Sequence, residues 1–309
     1  MFESFNLPDN NSYRTWIFKN NSVALANTSG ISYQTWVKPS GINFIQIIGV
    51  SGGGGGGGGG GYVNTSTGVL GGGGGASATM TSVFLPAFLV PDTLYIQVGR
   101  GGTGGNGGVN PTSGTNGLTG GYTAVSIHPV YTISGNSYYL LYTPGGNGGV
   151  GGGTTGGGGA SAGATSSPLL PLSQIGLRNY WAGQNSTAGG TNVGSAITSV
   201  YRISSAPGGV GHSSANADAA GVAVNPPGDS YYSVVNGGTI QGGPGSNGIN
   251  DFVKMIFSGG APGGSASGSN GGLAGSGGYG CGGAGGSVGN PSGSNGGKGG
   301  DGFVIITCG

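Results

Sequence analysis

The apolar residues of this chain fall in short runs that stop at glycine, proline, asparagine or aspartate. Three runs follow one another between residues 13 and 50: YRTWIFKN, ISYQTWVKP and INFIQIIGV. In the first, Trp16 and Phe18 alternate with Thr15, which is the period of two expected for a β-strand. The stretch from Phe44 to Val50 is almost continuously apolar, which predicts a strand covered on both faces.

Later runs repeat the same pattern and are rich in β-branched and aromatic residues. They are SVFLPAF, TLYIQVGR, YTAVSIHPVYTI, SYYLLYT, ITSVYRI, SYYSVV, DFVKMIF and GFVIITC. One segment, LSQIGLRNYWA at 172–182, is a weak helix candidate, since Gly176 interrupts its centre. The pattern therefore predicts an all-β protein with almost no α-helix.

Glycine tracts separate the predicted strands, and glycine supplies 82 of the 309 residues. The longest tracts are Gly52 to Gly61 and Gly71 to Gly75. Glycine at this level usually indicates disorder, because each glycine loses much backbone freedom on ordering. Compact apolar runs on both sides of the tracts argue against a disordered linker. Collagen is excluded because the three-residue phase holds only briefly and proline is scarce.

The remaining way to order such tracts is a bundle of polyglycine II helices. This left-handed form has about three residues per turn and no internal hydrogen bonds, so each helix must bond sideways. Glycine is then needed at every third position of a packed edge, and a branched side chain at Gly283 should disrupt packing more than one at Ser294. The C-terminal tract meets this demand at Gly277, Gly280, Gly283, Gly286 and Gly289.

The charge content limits the partners of the chain. Charged residues make up 5% and the formal net charge is +1, with no basic cluster for nucleic acid or an anionic membrane. The first residues lack the profile of a secretory signal, and no apolar stretch approaches the length of a membrane span. We therefore expect neither nucleic-acid binding, membrane insertion nor classical export.

Residues for catalysis or metal binding are scarce. His128 and His212 stand apart in the sequence and Glu3 is the sole glutamate, so no nucleophile, base and orienting group is indicated. Cys281 and Cys308 could pair, but free thiols are the preferred reading. No enzyme activity, cofactor or metal is expected.

Paired aromatic residues are the best candidates for recognition, because such side chains give large contact areas at low entropic cost. The predicted receptor-binding residues are Tyr180, Trp181, Tyr231 and Tyr232, within the segments 168–187 and 222–236. Tyr138 and Tyr139 form a third pair. One member of each pair should face the core if the pair lies on a strand.

Four stretches resemble, in order, the glycine-rich domain of phage and virus tail-fibre and adhesin proteins. In that family a strand with tryptophan and a Pro-Gly turn precede an apolar strand that opens into polyglycine. The matching stretches are WVKPSGINFIQIIGVSGGGGGGGGGGY, PDTLYIQVGRGGTGGNGG, YLLYTPGGNGGVGGG and GGKGGDGFVIITC. The resemblance covers roughly residues 35–309, leaving residues 1–34 as an attachment segment or as further strands of the same domain.

The resemblance implies a β-sandwich, of jelly-roll or tumour-necrosis-factor-like type, joined to a bundle of polyglycine II helices. A similar pairing occurs in some animal receptor kinases, but those carry signals and dense cysteines. The expected function is a virion structural protein that recognises the host surface at a fibre or particle surface. The expected partners are other virion proteins or copies of itself, and a host receptor or glycan. The alternatives are a minor capsid or decoration protein, or an extracellular filament or matrix subunit.

Overall fold

A computed structural model gives the arrangement of most of the chain. The described residues are 14–20, 33–61, 69–129, 138–153, 177–190, 197–198, 203–211, 218–225, 234–252 and 255–309.

The described residues form β-strands and extended segments, and they contain one short 3-10 turn, Ala87–Leu89, but no α-helix. The strands are β1 Arg14–Lys19, β2 Gln34–Val37, β3 Phe44–Val50, β4 Met80–Pro86, β5 Thr93–Gln97, β6 Thr123–Ser126, β7 Tyr139–Thr143, β8 Leu177–Trp181, β9 Ile197–Thr198, β10 Val224–Asn225, β11 Asn250–Asp251, β12 Ile256–Phe257 and β13 Phe303–Cys308. The prediction of an all-β protein is confirmed.

Two antiparallel sheets contain most of the strands. The first has the order β1-β13-β3-β4-β8 and the second has the order β2-β5-β6-β7. Two short pairs, β9 with β10 and β11 with β12, lie outside them. The jelly-roll or tumour-necrosis-factor-like connectivity stays a prediction.

The two sheets enclose a shared apolar core. Ile45 and Ile47 of β3 contribute from the first sheet, while Leu94 and Ile96 of β5 contribute from the second. These side chains are fully buried because alternate residues of a strand point to the same face. The alternation seen in the sequence is thus the inner face of the sheets.

A second apolar cluster covers part of the outer face of the first sheet. Val50 of β3 and Phe303 of β13 lie beside each other there and pack with Phe257, Met255 and Ile203. The cluster buries the outer face of β3 at its carboxyl end, while Ile45 and Ile47 bury the inner face. The prediction of a strand covered on both faces is confirmed for this end of β3.

Strand β1 joins the first sheet at its edge. It pairs with β13 over six residue pairs, from Arg14 with Cys308 to Lys19 with Phe303. Trp16 packs edge-on against Trp36 of β2, with ring centroids 5.6 Å apart. Of the two readings of the N-terminal segment, residues 14–19 therefore contribute a strand to the same domain.

The glycine tracts continue directly from strand ends that the sheets hold side by side. In the first sheet Val50 is paired with both Met80 and Phe303. The tract after β3 therefore begins beside the tracts that lead into β4 and β13. In the second sheet, tracts follow β5 and β7 and precede β6. Sheet pairing thereby brings distant parts of the sequence into one bundle.

The weak helix candidate at 172–182 is a β-strand where the structure describes it. Residues Leu177–Trp181 form β8, the edge strand that pairs with β4. Packing beside β4 overrides the weak helical preference of a segment centred on Gly176. Residues 172–176 lie outside the described part of the chain.

Candidate functional site

The tract 52–61 donates hydrogen bonds to three other tracts with a repeat of three residues. The N···O distances run from 2.8 to 3.0 Å, and the three partner tracts are antiparallel to 52–61. The pairs are Gly52, Gly55 and Gly58 with Gly121, Leu118 and Thr115; Gly53, Gly56 and Gly59 with Gly300, Gly297 and Ser294; and Gly54 and Gly57 with Ala76 and Gly73. A period of three sends each successive N–H to a different neighbour.

The carbonyl groups of the same tract accept hydrogen bonds from three further tracts, which are parallel to it. The pairs are Gly102, Gly105 and Gly108 with Gly53, Gly56 and Gly59; Gly146, Gly149 and Gly152 with Gly52, Gly55 and Gly58; and Gly283 and Gly286 with Gly54 and Gly57. Six tracts thus surround 52–61. Every N–H and C=O from Gly52 to Gly59 is bonded, as buried backbone groups require.

Two other tracts have the same kind of surroundings. Tract 281–289 is bonded to 52–61 and to segments within 70–76, 204–211, 258–266, 271–278 and 294–300. Tract 258–266 is also bonded to several neighbouring segments. For example, Ala261 N–H donates to the carbonyl of Ser246, and Gly238 N–H donates to the carbonyl of Pro262. Both tracts are buried along their whole length. The bundle therefore has several interior tracts, each held by lateral hydrogen bonds.

Tract 52–61 leaves no space for side chains. A Cβ atom added to Gly53 would lie 1.9 Å from the carbonyl oxygen of Cys281. A Cβ on Gly56 would lie 1.9 Å from the oxygen of Ala284, and one on Gly59 would lie 2.2 Å from that of Ser287. These obstacles are backbone atoms of neighbouring tracts, which cannot move aside individually. The ten consecutive glycines follow from this packing.

Tracts at the surface of the bundle carry one side chain in every three residues. In GGTGGNGGV, Thr103, Asn106 and Val109 are exposed while the glycines between them approach other tracts. Val150 occupies an equivalent position in the tract that follows β7. The position of the non-glycine residue therefore marks the side of a tract that faces away from the bundle.

Several of these side chains bond to N–H groups of a neighbouring tract. Asn295 Oδ1 accepts from Gly107 N–H and Asp301 Oδ1 accepts from Gly101 N–H, each at 2.8 Å. The same arrangement joins Asn247 and Asn250, which are three residues apart, to the N–H groups of Ser276 and Tyr279. Sequence reasoning missed this role, although Asn247 and Asn295 both stand in the sequence Gly-Ser-Asn-Gly.

A buried group of hydroxyls joins the sheets to the bundle. Ser51 Oγ accepts from Thr123 N–H at 3.1 Å and donates to Thr143. Thr123 Oγ1 donates to the carbonyl of Val50 at 2.8 Å and accepts from Gly99 N–H at 2.9 Å. These residues lie where β3, β5, β6 and β7 meet their tracts. Their hydrogen bonds join the two sheets at the point where the β-strands end and the glycine tracts, with their three-residue hydrogen-bond repeat, begin.

The glycines predicted to form one packed edge lie on two tracts. Gly283 and Gly286 face 52–61, and Gly289 follows them on the same tract. Gly277 belongs to the preceding tract, because the chain turns at Gly280, which has a φ of +67°. The prediction that all five glycines lie along one packed edge is therefore wrong. Gly280 keeps the three-residue spacing of glycine, but it serves a turn that reverses the chain.

The first predicted aromatic pair divides between surface and core. Tyr180 is 55% exposed, whereas Trp181 packs against the second apolar cluster near Met80. Both lie on strand β8 rather than in a loop, as its pairing with β4 shows. Tyr231 and Tyr232 lie outside the described residues.

A group of tyrosines on the second sheet was not singled out as a group from the sequence. The rings of Tyr122 and Tyr142 are 5.4 Å apart, and those of Tyr139 and Tyr142 are 5.6 Å apart. Burial raises the pKa of Tyr139 to about 12, and neighbouring tyrosines act in the same direction. Within the described part of the chain the Tyr139 hydroxyl is buried without a hydrogen-bond partner, while Tyr138 is exposed. The pair 138 and 139 thus divides as predicted.

The cysteines and acidic residues show no arrangement for metal binding among the described residues, where no group of three potential ligands occurs. Cys281 and Cys308 are free thiols, and burial raises the pKa of both. The preferred reading of free cysteines is confirmed. Within the same described part, no helix has the length and apolar character to cross a membrane.

Three turns meet at the end of the bundle that lies away from the two sheets. They are 109–112, 266–271 and 289–292. Asn110 N–H donates to Pro291 at 2.8 Å, and Asn290 N–H donates to Ser269 at 2.9 Å. Val109, Pro111 and Asn270 are exposed there. Hydrogen bonds between the turns fix the positions of these exposed side chains.

The fold and the bundle together define a class of protein: an all-β domain in which paired strands extend into laterally bonded glycine tracts. The chain belongs to the glycine-rich domain family, whose model matches residues 27–309. Strand β1 therefore lies before the matched region. No curated protein matches the chain.

Proposed function

We propose that the tracts are polyglycine II helices, and that the chain is a non-enzymatic structural protein of a virus or phage particle that recognises the host surface. The hydrogen-bond repeat of three residues supports the helical form, since that is the period of this helix. Among the described glycines only Gly41, Gly242 and Gly280 have positive φ. The earlier resemblance to tail-fibre and adhesin domains supports the location on a particle.

The observation that carries the proposal is the complete lateral bonding of the interior tract from Gly52 to Gly59. A tract whose buried backbone is fully paired makes a rigid support, and the backbone atoms packed against this tract leave no room for a substrate beside it. Side chains able to contact another molecule are left on the outer tracts and on the turns at 109–112, 266–271 and 289–292. Recognition on loops held by a rigid scaffold is a common arrangement.

The partners in this proposal are a host receptor or glycan at the turns, and other particle proteins or further copies of the chain elsewhere. Tyr180 remains a candidate contact because it is exposed on an edge strand. Trp181 is a packing residue in this proposal, since it contacts the second apolar cluster. Tyr231 and Tyr232 stay predictions from the sequence.

A second candidate is a minor capsid or decoration protein, and one surface favours it. On the outer face of the first sheet, away from the bundle, Phe44 and Phe84 stack with centroids 5.1 Å apart. Phe84 and Ile17 are exposed on that face. Exposed apolar residues on a sheet face suit attachment to a neighbouring subunit. An extracellular filament or matrix subunit would use the same surface.

Two exposed apolar residues allow a matched test of recognition. Val109 lies in a turn at the end of the bundle and is 60% exposed, while Leu118 lies on its flank and is 57% exposed. We expect Val109→Asp to reduce adsorption to host cells about tenfold, the effect of losing about 1.4 kcal/mol. Leu118→Asp should leave adsorption unchanged. Binding of the purified proteins to cells, with folding checked by circular dichroism, measures both.

Other outcomes distinguish the candidates. If neither aspartate variant nor Tyr180→Ala changes adsorption, host recognition by these surfaces is wrong. Phe84→Asp would then decide whether the chain attaches to the particle through its sheet. Loss of the protein from particles in that variant alone would favour the capsid or decoration function.

A further inference from the structure

Seven Asn–Gly pairs occur in the chain, and all lie in described residues: Asn106, Asn116, Asn147, Asn236, Asn247, Asn270 and Asn295, each followed by glycine. Asparagine is a chemically labile residue, and a following glycine leaves its backbone open to attack by the next nitrogen. The pairs lie mostly at surface positions of the bundle. Their chemical stability therefore depends on the hydrogen bonds of the glycine amides.

The reaction at issue is deamidation. The backbone nitrogen of the glycine loses its proton and attacks the side-chain carbonyl carbon of asparagine. The bond from that carbon to the side-chain nitrogen breaks, ammonia leaves, and a five-membered succinimide remains. Water then opens the ring at either carbonyl to give aspartate or isoaspartate. The attack requires a glycine nitrogen that can leave its hydrogen bond and rotate towards the side chain.

Five of the seven pairs hold that nitrogen in a hydrogen bond. Gly107 donates to Asn295 Oδ1 at 2.8 Å. The other four donate to backbone carbonyls at 2.8 to 3.0 Å: Gly117 to Gly149, Gly248 to Ser276, Gly271 to Ser292 and Gly296 to Gly105. Each of these amides must first open locally before it can react, and such opening costs free energy.

Two pairs differ from these five. Among the described residues, the amides of Gly148 and Gly237 have no hydrogen-bond acceptor. Asn147 is half-buried and has an interaction of its own, and its flanking residues Gly146 and Gly149 donate to the interior tract 52–61. Asn236 is exposed.

We propose that Asn236 is the principal site of spontaneous deamidation and that the lateral hydrogen bonds of the bundle protect the other Asn–Gly pairs. The modification places a carboxylate at the surface. Where isoaspartate forms, it also adds a methylene to the main chain beside the carbonyl of Asn236, which accepts from Ser246 N–H at 3.0 Å. Loss of order in this outer part of the bundle would follow.

Incubation of the full chain at mildly alkaline pH, followed by peptide mapping with mass spectrometry, tests the site. In the folded protein Asn236 should convert at least about tenfold faster than the five pairs with bonded glycine amides, because those amides must first open. The conversion rate of Asn147 should lie between that of Asn236 and those of the five pairs with bonded glycine amides. In urea all seven should convert at similar rates. Conversion of Asn236 no faster than that of Asn116, Asn247 or Asn270 in the folded protein would overturn the proposal.

One variant tests the protecting hydrogen bond directly. Asn295→Ala removes the side-chain acceptor of Gly107 but leaves the backbone bonds of the bundle in place. Conversion of Asn106 should then rise about tenfold, while Asn116, whose glycine donates to a backbone carbonyl, should stay slow. An unchanged rate at Asn106 would show that this bond gives no protection. A rise at both would show general loosening and would also count against site-specific protection.

Discussion

Distances to backbone atoms of neighbouring tracts decide which glycines cannot be replaced, and these distances cannot be read from the sequence. Composition predicts that glycine tracts pack, but not which glycines are indispensable. Ser294 illustrates the difference: the sequence suggests a tolerant position, yet the residue is buried and its Oγ accepts from Ser287 N–H. At Gly283 a Cβ would lie 2.1 Å from the oxygen of Gly297, so we still expect a branched side chain there to disrupt the packing.

Gly56→Ala tests the packing of a single residue. A methyl group there would overlap the carbonyl of Ala284, so we expect the free energy of unfolding to fall by at least about 2 kcal/mol. Where alanine fits without strain, replacing glycine by alanine tends to stabilise a protein, because it lowers the conformational entropy of the unfolded chain. Thr103→Ala at an exposed position is the control and should stay within about 0.5 kcal/mol. Denaturant unfolding that finds Gly56→Ala as stable as the control would contradict the packing.

Tyr139 gives a prediction about pH. Its pKa is raised from the ordinary 10.0 to about 12, so the folded state keeps the phenol proton that the unfolded state releases. The contribution to stability is fully present below pH 10 and is lost as pH rises towards 12. Tyr122 and Tyr142, whose pKa values burial also raises, add to the loss.

The control for this effect is Tyr139→Phe. At neutral pH the variant should be at least as stable as wild type, because the hydroxyl it removes has no hydrogen-bond partner among the residues that the structure describes. Between about pH 9 and pH 11 it should lose less stability than wild type. Urea unfolding at both pH values measures the difference. An equal loss in the two proteins would mean that Tyr139 does not titrate abnormally.

At the scale of elements, apolar runs located most strands but not their extents or partners. The runs around β1, β3, β5, β7 and β13 are clear because alternation or continuous burial extends over several residues. Strand β8 was mistaken for a helix candidate, since its identity depends on pairing with β4, which lies far away in sequence. The turn at Gly280 was missed because it preserves the three-residue spacing of glycine.

Two neighbouring residues of strand β8 differ in role, because Trp181 packs against the second apolar cluster while Tyr180 is exposed. Trp181→Ala should lower the free energy of unfolding by about 2 kcal/mol, because it removes a large side chain from the second apolar cluster. Tyr180→Ala, on the exposed neighbour, should change it by less than about 0.5 kcal/mol. Thermal or urea unfolding compares them. Equal effects of the two substitutions would show that the strand is not placed as described.

At the scale of the whole molecule, the bundle depends on sheet pairing that sequence patterns do not specify. The tracts beside 52–61 come from residues near 75, 105, 115, 150, 285 and 297, and only the registers of the two sheets bring them together. Lateral bonding could be predicted from the sequence, because glycine amides in a helix without internal hydrogen bonds can only bond to neighbouring tracts. It could not show that 52–61 is central, or that asparagine side chains complete the outer bonds.

Hydrogen exchange of the glycine amides tests the laterally bonded bundle most directly. If each N–H from Gly53 to Gly59 is bonded to a neighbouring tract, these amides should be protected to about the same degree as those of β3, and amides 283–288 should behave alike. Exchange can be followed by nuclear magnetic resonance or mass spectrometry on the intact protein. Random-coil exchange rates in 53–59, with β3 still protected, would show that the tracts are linkers and would contradict the bundle.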